Sequence, residues 1–385
     1  MLLGVSGGVA AYKSIELIRR LRDEGASVVS VMTEAARQFV TPLSLQVASQ
    51  DRVYTSLFEE PMAHIALPAK ADVMVVAPAT ANTIAKFALG IADDLLSTCF
   101  LSFQGKMIIA PSMNWKMYEN HTVRKNLETL ASLGVLQVGP EAGALACGEE
   151  GTGRMAEPAD ILEAIRSVLR PKDLDGERIV ITAGPTREYM DPVRFISNRS
   201  SGKMGYSLAR AARDRGAEVT LISGPSCLKK PVGLAFVGVE TASEMMQAVV
   251  RAVADRTTVL IMAAAVADFS PTAKSAKKIV KKGEMALALS PTPDIVSSVS
   301  SQADRPFVIG FAAETGKHPD RAAAKRKNKK MDMIVFNDVT EPGAGFDVDT
   351  NRVEIIDRKG RTKLGLMSKD EVADAILDRF IEIRA

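Results

Sequence analysis

"MLLGVSGGVAAYK", residues 1–13, runs from an apolar segment through three glycines into a stretch with helical spacing. Read as strand, tight turn and helix, it commits the chain to an α/β fold. The helix continues through "SIELIRRLRDEG" to a closing glycine at Gly25, and "SVVSVMT" follows as a second buried strand. That is one βαβ unit. "ADVMVVAPA", a helix over residues 81–89, and "KMIIAPS" repeat the alternation further along. The expected architecture is a doubly wound parallel sheet with ligands at the C-terminal ends of its strands.

A chain of 385 residues is long for one core, so two domains are expected. After a helix near 158–169, "RPKDLDGER" is charged and lacks an apolar period, and the boundary falls there. The domains are read as residues 1–170 and 176–385. The second half restarts with the strand "RIVITAG", the helix "MGYSLARAARDRG" and the strands "AEVTLISGP", "TTVLIMAAAVAD" and "MDMIVFND". It is a second doubly wound α/β domain, with loops too different from the first for a repeat.

Composition sets the surroundings. With 46% hydrophobic and 25% charged residues the chain reads as a globular protein in water, without an apolar run of the roughly 18 residues a membrane span needs. The start lacks a basic leader, so the expected location is the cytoplasm, with no membrane partner. Cys99, Cys147 and Cys227 are far apart with no CxxC pair, against both a disulfide framework and a structural zinc site. A net charge of +3 does not call for a nucleic-acid partner. Lysine groups near 274–282 and 325–330 need another explanation.

In "GVSGGVAAYK", Gly4, Gly7 and Gly8 lie between strand and helix, where backbone N–H groups and the helix dipole can hold a phosphate. The pattern is not GxGxxG, and the second strand ends at Thr33 where a dinucleotide fold would place an acidic ribose ligand. A cofactor without an adenosine half is favoured over NAD. The loops "APATANT", carrying Thr80 and Asn82, and "APSMNWKMY", carrying Met113 and Asn114, follow apolar strands and offer hydrogen-bonding groups to the same pocket. Taken singly, Thr80 and Asn82 also read as helix caps. "GALACGEEGTGRM", residues 143–155, places Cys147 among glycines, as on a loop able to close over a ligand.

These segments, with "HI.L...ADVMVVAPATANTIAKFALGIADDLLST", resemble the flavin-dependent cysteine decarboxylases, and among them the phosphopantothenoylcysteine decarboxylases, over residues 1–165. The resemblance implies FMN held by Ser6, Gly7, Gly8, Thr33, Thr80 and Asn82. It further implies a catalytic His64, a flap acid at Cys147, Asn114 as the ligand of the substrate carboxylate, and Met113, Arg154 and Met155 beside the substrate. Tyr118 departs from the tryptophan of many members.

In the second half, "PTREYMDPVRFISNRSSGKMG" is a long connection of the kind that carries function. Its "SSGK" fails as a P-loop, because Ser197 stands where glycine is required and Met204 where Ser or Thr is required. A nucleoside triphosphate would use both lysine groups and Asp268 at a strand end. "AAAVADF", "KKIVKK", "PTPDIV", "GFAAET" and "FNDV" resemble the phosphopantothenate–cysteine ligases over residues 178–380. The implied CTP contacts are Met262, Ala263, Ala264, Asp268, Lys278, Pro293, Asp294, Ile295, Val296, Phe311, Lys325 and Lys329. Asn198 is implied at the acyl-cytidylate, Lys278 in the second half-reaction, and Mg²⁺, whose ligands are unassigned, with the triphosphate.

Both halves in this order resemble the bifunctional bacterial enzymes of coenzyme A biosynthesis, acting on 4'-phosphopantothenate, cysteine and CTP. The resemblance implies a homo-oligomer built from decarboxylase trimers and ligase dimers. Two other readings stay open at this point: a decarboxylase of peptidyl cysteine, and a flavin-binding regulator.

Overall fold

The structure is a computed structural model that describes residues 1–144, 148–254, 256–281, 283–316 and 318–384. The chain divides into two units, Met1–Arg170 and Pro171–Ala385.

In the first unit, β1 (Leu2–Val5), β2 (Val29–Met32), β3 (Val53–Tyr54), β4 (Val73–Ala79), β5 (Lys106–Pro111) and β6 (Leu136–Gln137) form one parallel sheet in the order β3-β2-β1-β4-β5-β6. Helices cover both faces, so every residue of β1 and β4 is buried and those strands read as unbroken apolar runs. The stretch expected as one helix from Val9 begins as a 3-10 turn, Val9–Tyr12, and becomes α-helical at Lys13–Asp23. That helix buries Ser14, Leu17, Ile18 and Leu21, the spacing of one helical face. From β1 the chain winds one way to β2 and later returns on the other side as β4, so a crevice opens above the ends of β1 and β4. A hairpin, β7 (Glu141–Ala144) and β8 (Glu150–Arg154), stands outside the sheet.

The second unit has the same logic with an extended edge. Its strands are β9 (Arg178–Ala183), the hairpin β10 (Arg187–Tyr189) and β11 (Phe195–Ser197), β12 (Glu218–Ser223), β13 (Ala235–Gly238), β14 (Val259–Met262), the hairpin β15 (Phe269–Pro271) and β16 (Leu289–Pro291), β17 (Phe307–Glu314), β18 (Met333–Asp338), β19 (Thr350–Asn351), β20 (Glu354–Ile356), β21 (Arg361–Lys363) and β22 (Met367–Ser368). The sheet order is β13-β12-β9-β14-β17-β18-β20-β21, parallel through β18 and antiparallel for the last two strands. The switch point lies between β9 and β14. The connection after β9, expected as one loop, contains the β10–β11 hairpin. Helix Lys203–Asp214 then packs close on β9, because Gly205 has no side chain: a Cβ there would lie 2.6 Å from that of Ala183.

Candidate functional site

The crevice of the first unit is a cavity of about 970 Å³. Gly7 and Gly8 line it, and among the described residues their N–H groups meet no acceptor. Two free donors immediately before a helical segment suit a phosphate. Thr33, Thr80 and Asn82 also line the cavity. Thr80 caps helix Ala81–Leu89 through the Thr83 N–H, so the capping role and the cavity position coexist in one residue. Ser6 does not line it; its buried hydroxyl donates to the Pro78 carbonyl at 2.7 Å and accepts from the Thr80 N–H at 3.0 Å, bracing the two loops. The polar lining and the free donors fit a phosphorylated flavin.

Met113, Asn114, Arg154 and Met155 line the same cavity, drawn from the loop after β5 and from the end of β8. Gly153 makes this possible: the Met113 N–H donates to its carbonyl at 3.0 Å, and a Cβ at Gly153 would stand 2.1 Å from the Met113 oxygen. Asn114 caps helix Trp115–Glu119, its side-chain oxygen accepting from the Lys116 N–H at 2.9 Å. Glu149, between the hairpin strands, accepts from Trp115 Nε1 at 2.8 Å, Lys116 Nζ at 2.7 Å and Asn114 Nδ2 at 3.4 Å. Lys116, then Trp115 and Asn114, hold its carboxyl below the usual range. A carboxylate therefore already sits on Asn114. Cys147, expected as the flap acid, lies outside the described residues.

His64 is not brought to this cavity. It starts helix Ala63–Ala69 half-buried, and its main-chain carbonyl accepts from Ser102 Oγ at 2.5 Å. Sequence reasoning also missed two lysines on the lining. Lys86 is tied to Asp93 at 2.7 Å and Asp94 at 2.8 Å, and Lys13 to Glu157 at 2.7 Å.

The second cavity, about 730 Å³, opens at the switch point of the second unit. Its lining gathers the segments 262–268 after β14, 293–296, Phe311 on β17, Lys325, Lys329 and the loop 198–203. Asn198 is held there by donating its side-chain N–H to the Val266 carbonyl at 2.9 Å. Asp294 caps helix Ile295–Ser300 and pairs with Lys329 at 3.0 Å; the Ser297 groups and Lys329 outweigh the desolvation that opposes its charge, and its pKa falls. Lys325 is exposed to solvent in the cavity, yet desolvation by the surrounding protein, followed by the like charge of Lys329, lowers its pKa. Its hydrogen bond, to the Phe311 carbonyl, is long at 3.4 Å. A cation so placed favours an incoming anion.

Lys278 is exposed and does not line this cavity. Two residues that the sequence did not single out do. Asn337, 8% exposed at the end of β18, makes no side-chain hydrogen bond among the described residues. Its signal was the polar "ND" closing an apolar strand. Lys369 is buried and donates to the carbonyls of Gly345, Phe346 and Val348 at 3.0, 3.4 and 2.5 Å. No local pattern marks it. Among the described residues no group of three or more His, Cys, Asp and Glu side chains is arranged to hold a metal ion, and no helix is long and apolar enough to cross a membrane.

Residues 1–170 match the Flavoprotein family, and residues 174–383 match the family of the DNA/pantothenate metabolism flavoprotein C-terminal domain. The chain is 45% identical over 385 residues to the coenzyme A biosynthesis bifunctional protein CoaBC of Vibrio cholerae serotype O1, covering 98% of this chain and 96% of that protein. It is 45% identical over 391 residues to the protein of the same name from Escherichia coli K12, covering 99% and 96%. The Bacillus subtilis protein of that name is 44% identical over 387 residues, covering 98% and 95%.

Proposed function

Because this chain belongs to the family of bifunctional coenzyme A biosynthesis proteins, we propose that its second unit joins cysteine to 4'-phosphopantothenate with CTP and its first unit decarboxylates the product to 4'-phosphopantetheine. The observation that carries this reading is the pair of switch-point cavities, one per unit, each gathering most of the residues that the decarboxylase or the ligase would need.

In the second unit, the 4'-phosphopantothenate carboxylate attacks the α-phosphorus of CTP and expels pyrophosphate. The cysteine amine then attacks the acyl carbon and expels CMP. Lys325 and Lys329 offset the triphosphate charge, Asn198 orients the acyl-cytidylate, and Lys278 serves the second attack. Mg²⁺ accompanies the triphosphate.

In the first unit, Gly7, Gly8, Thr33, Thr80 and Asn82 hold FMN. FMN, when bound, supplies the two-electron oxidation of the substrate thiol that turns its neighbouring carboxylate into a β-thioketo acid able to lose CO₂, and returns the electrons afterwards. Asn114 binds the substrate carboxylate, replacing Glu149, with Arg154 and Met155 beside it. Cys147 delivers the closing proton to carbon.

His64 enters this reading through a second copy of the chain. Phe58, Met62 and Ile65, on and just before the His64 helix, are 91%, 62% and 46% exposed. So much bare apolar surface around one helix supports the decarboxylase trimer, in which a neighbour's His64 reaches the flavin. Ligase units pair as dimers.

The test is a mass spectrum of products from 4'-phosphopantothenate, cysteine, CTP and Mg²⁺ with this protein alone. The expected product is 4'-phosphopantetheine, with CMP and CO₂. Accumulation of 4'-phosphopantothenoylcysteine would remove the decarboxylase reading, and absence of any amide would remove the ligase reading.

A further inference from the structure

Lys278 sits in an exposed segment with no regular secondary structure, where a long side chain has little to fix it. The backbone around it, however, is anchored at two points to the β10–β11 turn. The Asp191 side chain, 0% exposed, accepts from the N–H of Ile279 at 3.1 Å. The Ser275 N–H donates to the Met190 carbonyl at 2.9 Å. The other carboxylate oxygen of Asp191 closes its own turn, accepting from the N–H groups of Val193 at 2.7 Å and Arg194 at 2.8 Å, while the Arg194 guanidinium lies 3.6 Å from the oxygen that takes Ile279. A buried carboxylate satisfied by three backbone donors is a rigid fitting, costly to leave half-made.

The same hairpin continues from β11 directly into Asn198, which lines the second cavity. Its base is fixed by Ser197 Oγ donating to the Thr186 carbonyl at 2.7 Å. Three residues of strand span roughly 10 Å, so one small rigid element holds Asn198 at one end and the Lys278 backbone at the other. We propose that Asp191 is a positioning residue for Lys278, setting the second half-reaction, attack by cysteine, in register with the acyl-cytidylate held near Asn198. This rests on the ligase reading given above. Asp191 touches no reacting atom in this account; it acts through the Ile279 amide.

The experiment uses the full chain and reads the half-reactions separately. Pyrophosphate release from CTP and 4'-phosphopantothenate without cysteine reports the first; conversion of the accumulated acyl-cytidylate on adding cysteine reports the second. Asp191→Asn keeps the size of the side chain but turns one acceptor oxygen into a donor, so it opposes one of the three N–H groups. It is expected to leave pyrophosphate release within about twofold and to slow amide formation tenfold or more. Combined with Lys278→Gln it is expected to add no further loss, as for two residues acting as one unit. Equal loss of both half-reactions in Asp191→Asn would overturn the proposal in favour of a general structural role, as would an additive double variant. If Asp191→Asn forms amide at the normal rate while Lys278→Gln does not, positioning by Asp191 is refuted and the ligase site stands. If Lys278→Gln itself forms amide normally, the assignment of Lys278 fails, and the proposal with it.

Discussion

Lys325 shows how one side chain carries the electrostatics of the second cavity. Desolvation and the positive Lys329 lower its pKa, while Glu314, Asp268 and Asp294 counter only in part. CTP affinity should therefore be full below the lowered pKa and fall as pH rises through it, earlier than for a lysine at 10.5. Lys325→Met is expected to weaken CTP binding about tenfold or more and to remove that alkaline limb, as read by titrating CTP binding against pH. Cys99 makes the opposite case. Burial, followed by Asp94, pushes its thiol up to about 12, so it is inert at neutral pH. Alkylation of the native protein near pH 8 should modify exposed Cys227 and spare Cys99, and a mass-mapped adduct on Cys99 would contradict its placement.

The β7–β8 hairpin is the element on which the first cavity depends. Gly153 lies against Met113 with no room for a methyl group. Gly153→Ala is expected to destabilise the first unit by roughly 1–3 kcal/mol and to lower flavin retention, measured by thermal unfolding and by absorbance of the purified variant. Glu149 latches the hairpin through Trp115, the one tryptophan in the chain. Because its folded-state pKa is depressed, the latch is complete above the usual glutamate range and lost as pH falls through the lowered value. Trp115 emission should shift over that acidic window in the native protein and show no such transition in Glu149→Gln.

For the whole chain, the division between Arg170 and Pro171 predicts two separable activities. Residues 1–170 expressed alone should bind flavin, and residues 171–385 alone should form the amide from cysteine and CTP. Flavin loss from the first fragment, or an inactive second one, would show that each activity needs the intact chain. Each unit supports this with its own sheet and buried clusters: Leu3, Val5, Ile18 and Ile108 belong to one core of the first unit, and Ile181, Leu221, Ile261 and Phe380 to one core of the second.

Much of this architecture is legible in local pattern. The buried runs of β1, β4, β9 and β18 are continuous because helices cover both sheet faces, and the segment 171–177 stands out because it has no apolar period. The same patterns led to Gly7, Gly8, Thr80 and Asn114, each next to a strand end or helix start where loops collect at a switch point, whereas Asp294 was implied by the family resemblance and Lys325, in the last turn of helix Pro319–Asn328, stood out as part of a lysine group. What lay outside their reach depends on contacts between distant segments. The antiparallel strands β20 and β21 add to the sheet only through pairing with β18, and Lys369 gathers carbonyls of residues 345–348 because the fold brings that loop to its helix. Ser6 follows a glycine-rich pattern into the pocket on paper, yet its hydroxyl is spent on Pro78 and Thr80. His64 and Lys278 carry family motifs but stand off the cavities of their own chain. Periodicity records which side of an element is buried, whereas the partner of a polar group is chosen by three-dimensional packing, across separations such as the 88 residues between Asp191 and Ile279.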